Sequence, residues 1–175
     1  MPHSILKENL SQDSLPSQQG FYGLGIAPKI LNILERINFK TPTPIQSKSI
    51  PLALEGKDLM GIAQTGTGKT HSFAIPMIQR LGQIKGKGLV VAPTRELAIQ
   101  IDEAYKTVAG AFGMKTACLI GGASTRDQIH ALRKMPRVII ATPGRLLDHV
   151  QQRNVTLNDV SVLVLDEADR MLDMG

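Results

Sequence analysis

The stretch LMGIAQTGTGKTHSFAIPMIQRL (residues 59–81) decides the fold. It opens with a short apolar run, LMGIA (59–63), that reads as a buried strand. It closes with HSFAIPMIQRL (71–81), which reads as a helix. Between them, AQTGTGKT (63–70) fits the phosphate-binding pattern G-x-x-x-x-G-K-[ST] except that Ala63 stands where the first glycine belongs. Strand, glycine-rich turn and helix in this order are the context the pattern requires, because backbone N–H groups and a positive helix end together cradle phosphates. In such a loop Lys69 reaches the β- and γ-phosphates and the Thr70 hydroxyl ligates Mg²⁺. An alanine tolerates right-handed or extended backbone, so Ala63 is predicted to have negative φ.

The alternation continues outward from this stretch. LVVA (89–92), TACLI (116–120), VIIA (138–141) and VLVL (162–165) read as further buried strands. Helical segments separate them: RELAIQIDEAYKTVAGAF, stopping at Gly113; STRDQIHALRK, with Ser124 and Asp127 spaced as a capping box; and PGRLLDHVQQ, with Thr142 as N-cap and Pro143 in the first turn. Upstream, Ile30, Leu31, Leu34 and Ile37 have helical spacing behind Pro28, and KTPTPIQ (40–46) is a proline-stiffened connection with a short helix after it. Continuous apolar strands alternating with helices predict an α/β domain, a parallel sheet covered on both faces. The polar signatures QTGTGKT, PTRE, GG (121–122), TPGR (142–145) and DEAD (166–169) each follow a strand. In a parallel sheet they fall along one edge, where ligands bind in such folds.

Bulk composition narrows the function. The 175 residues are 42% hydrophobic and 20% charged, as in a globular chain, and residues 1–20, rich in Ser, Gln and Pro, read as a mobile leader rather than a secretory signal. No apolar run approaches the ~20 residues a membrane helix needs. The single cysteine, Cys118, sits in an apolar run, which excludes an internal disulfide, suits a reducing cytoplasm and reads as a small core residue. A net charge of +5 permits a polyanionic partner. With 3% aromatics and no Trp, a base-stacking platform is not expected, so nucleic acid would be held by its backbone.

The acidic strand end completes the chemistry. In phosphate-loop ATPases an Asp after an apolar strand holds Mg²⁺; here that is Asp166, acting through water, since Mg²⁺ gives up its waters reluctantly. Glu167 can orient or deprotonate an attacking water. Thr94 and Thr142 are hydroxyls at helix starts, Gly121 and Gly122 expose backbone N–H groups, and Arg95 and Arg145 add charge; such groups grip phosphates without reading sequence. Arg126, Arg133, Lys134 and Arg137 read as a solvated face, and His71 as helix packing or surface.

Asp166-Glu167-Ala168-Asp169 resembles the signature of the DEAD-box RNA helicases, and AQTGTGKT resembles that family's first motif, in which a leading Ala is usual. The resemblance runs from about Phe21 to Gly175. It implies a RecA-like domain over 21–175, a nucleotide site using Phe21, Phe39, Thr41, Gln46, Gln64, Thr65, Gly66, Thr67, Gly68, Lys69 and Thr70, and RNA contacts from Pro93, Thr94, Arg95, Gly121, Gly122, Thr142, Pro143, Gly144 and Arg145. NFKTPTPIQ (38–46) is similar to the adenine-reading segment, with Asn38 where glycine is common. A Gln amide both donates and accepts, which suits the two-sided edge of adenine, and Phe39 can offer a ring face to the base. The cofactors implied are ATP and Mg²⁺, with Lys69, Asp166 and Glu167 catalytic. The family's Ser-Ala-Thr motif and second domain, with its arginine fingers, are expected beyond Gly175, and Asp169 resembles a partner of that motif. On this reading the whole protein unwinds or remodels RNA duplexes and the 175 residues alone are not catalytically competent. A DNA helicase is disfavoured by TPTPIQ together with PTRELA; a non-catalytic binding module is the alternative from another class.

Overall fold

The structure, a computed structural model, describes residues 4–6, 20–62, 66 and 68–173. Backbone contacts divide the chain into two compact units, residues 1–80 and 81–175. Every strand of the larger sheet lies between Lys87 and Leu165.

In the first unit, a 3₁₀ turn (Gly20–Leu24) leads to α1 (Pro28–Arg36) and α2 (Pro44–Leu54), each with proline in its first turn where a missing N–H costs nothing. β1 (Ser4–Leu6) and β2 (Leu59–Gly61) pair in parallel, and α3 begins at Lys69 and runs to Leu81. The segment read as a leader thus contributes one strand; the rest of 1–19 lies outside the described residues. Gln79 of α3 ties the unit together, its Oε1 accepting from Ala27 N–H at 2.7 Å and its Nε2 donating to the Gly25 carbonyl at 3.0 Å. The run LMGIA is not the buried strand expected: Met60 and Ile62 are each 58% exposed. A two-stranded ribbon three residues long gives its side chains little to pack against.

The second unit holds a four-stranded parallel sheet in the order β4 (Thr116–Leu119), β5 (Val138–Ala141), β3 (Lys87–Val91), β6 (Val160–Leu165). The inner strand β5 is buried throughout, as its VIIA sequence demands. Leu89, Ala117, Leu119, Ile139 and Ala141 form a core with Leu132 of α5 (Thr125–Arg133) and Leu146 of α6 (Pro143–Gln151). The helix α4 (Arg95–Ala109) buries Ala98, Ile101, Tyr105 and Val108 and packs along β4 and β5. It passes through a 3₁₀ turn to Gly113, whose φ of +63° ends the helix where the sequence placed the stop.

The outer strands depart from the expected continuous burial. VLVL in β6 alternates, with Leu163 and Leu165 more than half exposed, because within the sheet β6 pairs only with β3. Cys118 is half-buried for the same reason on β4. Arg137 does not belong to a solvated face: its guanidinium donates to the carbonyls of Leu81 (2.7 Å), Ile84 (2.9 Å) and Gly86 (2.8 Å), fastening the loop that enters β3.

Candidate functional site

The first unit carries the nucleotide half of the expected site. Gln46 lies in the first turn of α2 and is fully buried. Its Oε1 accepts from Thr43 N–H at 2.9 Å and its Nε2 donates to the Gly68 carbonyl at 2.9 Å. A primary amide has two donor hydrogens and two acceptor lone pairs. One of each is therefore not engaged by these two bonds, which is the complement an adenine edge requires. Gly68 has φ +81°, and a Cβ there would meet Gln46 Nε2 at 2.5 Å and Thr43 Cγ2 at 3.2 Å, so only glycine lets the loop come this close. Among the described residues, Thr43 Oγ1 is buried without a hydrogen-bond partner beside this contact. Thr41, which the sequence reading named, is exposed, and Thr43 stands at capping-box spacing from Gln46.

Phe39 packs against Phe21 with ring centroids 5.4 Å apart, and against His71 at 4.7 Å. Phe21 is 3% exposed, its ring packed inside the protein. His71 accordingly packs its ring on Phe39 in a tilted pair, and burial lowers its imidazole pKa. Asn38, where the resembling family often has glycine, has φ +58°, a conformation asparagine tolerates better than most residues. Lys69 and Thr70 open α3, which the phosphate-loop reading requires. Gly66 has φ +83°. Ala63, Gln64, Thr65 and Thr67 lie outside the described residues, and with them the expected φ of Ala63.

In the second unit the strand ends align. The Ala92 and Asp166 N–H groups bond to the carbonyls of Ala141 and Val91, and Thr142 N–H to that of Leu119, so the segments after β3, β4, β5 and β6 leave the sheet at one level. Asp166 is 9% exposed, and its Oδ1 accepts from Glu167 N–H at 3.1 Å. Glu167 has φ +51°, which costs a non-glycine residue about 1–2 kcal/mol. Strain of this kind collects at functional sites. Its carboxylate meets Arg170 at 2.8 Å, so here it is held in an ion pair. Tyr105, read only as helix interior, is fully buried; burial first, then the charge of Asp166, pushes its hydroxyl pKa well up. Asp169 is exposed in α7 (Ala168–Asp173).

The three predicted backbone-binding signatures also meet in this unit. Thr94 caps α4, accepting from Leu97 N–H at 3.3 Å, and follows the buried Pro93. The Arg95 guanidinium lies against Gly122, where a Cβ would fall 2.8 Å from Arg95 Cζ. Arg145 donates to Thr125 Oγ1 at 3.1 Å and lies 3.6 Å from Asp148. Both arginines therefore border the turn that carries Gly121 and Gly122. Thr142 sits at the N-cap of α6 with no side-chain cap bond, ahead of the exposed Pro143 and Gly144. Behind this turn runs a buried chain that the sequence did not disclose. Asn154 Nδ2 donates to His149 Nδ1, which puts the ring proton on Nε2 facing Gln128 Oε1, and Gln128 Nε2 donates to the Ile120 carbonyl at 2.9 Å.

The model of the DEAD/DEAH box helicase family matches residues 43–175. The chain belongs to this family. It is 45% identical over 159 residues to the ATP-dependent rRNA helicase RRP3 of Debaryomyces hansenii, covering 89% of this chain and 33% of that protein. To rrp3 of Emericella nidulans the identity is 48%, covering 89% of this chain and 34% of that protein. The crystal structure of the RNA helicase Prp28 from Chaetomium thermophilum bound to ADP superposes with a TM-score of 0.82 at 37% identity, covering 93% of this chain and 42% of that one. A DEAD box protein from Methanococcus jannaschii gives a TM-score of 0.80 at 38% identity, covering 89% and 43%. The fold is thus the RecA-like α/β fold that the sequence predicts. The chain spans about a third of the length of the curated relatives it matches.

Proposed function

We propose that these residues are the nucleotide-binding part of an ATP-dependent RNA helicase, and that the whole protein hydrolyses ATP to unwind or remodel RNA duplexes. The observation that carries this reading is the Gln46 amide, fixed by Thr43 and Gly68, with one donor and one acceptor not engaged by these two bonds among the described residues. It couples an adenine-selective group directly to the phosphate loop. Lys69 supplies charge to the β- and γ-phosphates. Thr70 by its hydroxyl and Asp166 through water would each serve as a ligand to Mg²⁺, which would supply charge to the phosphates. Glu167 orients the attacking water once it leaves Arg170. RNA is held by its phosphates through Arg95, Arg145, Thr94, Thr142 and the Gly121–Gly122 turn, with little sequence preference.

The single half-buried Cys118 supports a cytoplasmic location. No helix among the described residues is long and apolar enough to cross a membrane. Residues 1–175 alone are proposed to bind nucleotide and RNA weakly, without RNA-stimulated turnover, since an arginine finger is worth roughly 10³–10⁵ in rate. Calorimetric titration with Mg-ATP tests the site: Lys69→Ala should abolish most of the affinity, and unchanged affinity refutes the phosphate-loop assignment. Phosphate release with and without single-stranded RNA tests the rest. Stimulated release by this chain would show that no further catalytic group is needed.

A further inference from the structure

His71 follows the two phosphate-loop residues Lys69 and Thr70, yet its ring packs on Phe39, from the other end of the nucleotide segment. Phe39 in turn stacks on Phe21 with an interplanar angle of 22°. Phe39 thus contacts Phe21 in a stacked pair and His71 in a tilted pair, linking the 3₁₀ turn and the first turn of α3 through the segment that leads to Gln46. A second tie, from Gln46 Nε2 to the Gly68 carbonyl at 2.9 Å, joins the same two segments independently. Two ties separated by several residues fix an orientation as well as a distance. The base and the phosphates of a nucleotide are chemically unlike and several bonds apart, so a site binds both at once with least entropy loss when their spacing is set beforehand.

We propose that His71 is a positioning residue that locks the adenine-reading segment to the phosphate helix. It touches neither base nor phosphate; it acts through Phe39. This rests on the nucleotide site proposed above and adds to it a residue that the phosphate-loop pattern does not contain.

The test compares two ligands on the 175-residue chain, ATP and inorganic tripolyphosphate, each with Mg²⁺. His71→Ala should weaken ATP binding by about two- to tenfold, the range expected when one aromatic contact is removed, and leave tripolyphosphate binding unchanged. His71→Phe, which keeps a ring, should restore ATP affinity. If His71→Ala weakens both ligands equally, His71 merely supports α3 and the proposal is overturned. Unchanged ATP affinity in His71→Ala, or no rescue by His71→Phe, overturns it as well. Failure of the unmutated chain to bind ATP while it still binds tripolyphosphate would remove the adenine reading, and this inference with it.

Discussion

Gly121 and Gly122 are adjacent, but the structure predicts opposite tolerance to an added methyl group. Gly122 has φ +70°, and a Cβ built there runs into the Arg95 guanidinium, 2.8 Å from Cζ. At Gly121 no atom lies within 4 Å of such a Cβ, and its φ is not positive. Gly122→Ala therefore incurs the left-handed penalty of about 1–2 kcal/mol for a residue with a Cβ. The flexible Arg95 side chain can swing aside, so the clash itself adds little to the stability loss. For a chain of this size that predicts a fall in Tm of roughly 2–8 °C. The displaced Arg95 should also lose its proposed phosphate contact, weakening single-stranded RNA binding and flattening the salt dependence by about one unit of slope. Gly121→Ala should leave both quantities near the unmutated values. Thermal unfolding and RNA titrations at several salt concentrations measure the two effects. Equal behaviour of the two variants would refute the placement of Arg95 over Gly122.

Three further outcomes follow from particular contacts. Gln46→Ala should weaken ATP binding by about 1–3 kcal/mol, because buried polar groups lose their partner, while GTP binding changes far less; equal affinity of the unmutated chain for ATP and GTP would refute adenine reading. Burial, and then the charge of Arg145, lowers the His149 pKa below the ordinary imidazole value of 6.5. The folded chain thus refuses a proton that the unfolded chain accepts, so stability is full above that value and declines as pH falls from it through the lowered folded-state pKa. Denaturant titrations at pH 7.5 and 5.5 should show this decline, and His149→Gln should reduce it; an unaltered decline would mean that other groups cause it. The Cys118 thiol is pushed up to about 11, chiefly by burial and then by Asp102, so iodoacetamide at pH 8 should alkylate it roughly 10²-fold more slowly than an unperturbed thiol. Reaction at the unperturbed rate would contradict the half-buried setting of β4.

The sequence alone determined the alternation of strands and helices, the strand-end positions of the polar signatures and a helix following the glycine-rich loop. These features are local. An apolar run of fixed length, a glycine where φ must be positive, and a proline in a first turn each constrain only a few neighbouring residues. Tertiary structure decided whatever depends on which segments meet. LMGIA and VLVL are apolar runs like VIIA, yet only VIIA has a strand on either side, so Met60, Ile62, Leu163 and Leu165 remain exposed. Arg137 reads as one more surface cation until three carbonyls converge on it. Tyr105 and the His149–Gln128 chain carry no motif, because a buried phenol and a relay of polar side chains are defined by partners far apart in sequence. Glu167 is legible as an acid in DEAD, but its left-handed backbone and its ion pair with Arg170 follow from how the chain turns out of β6 into α7. Residue type and spacing can say what chemistry a position could perform; the long-range packing that sets its neighbours and its water decides which of those roles it takes.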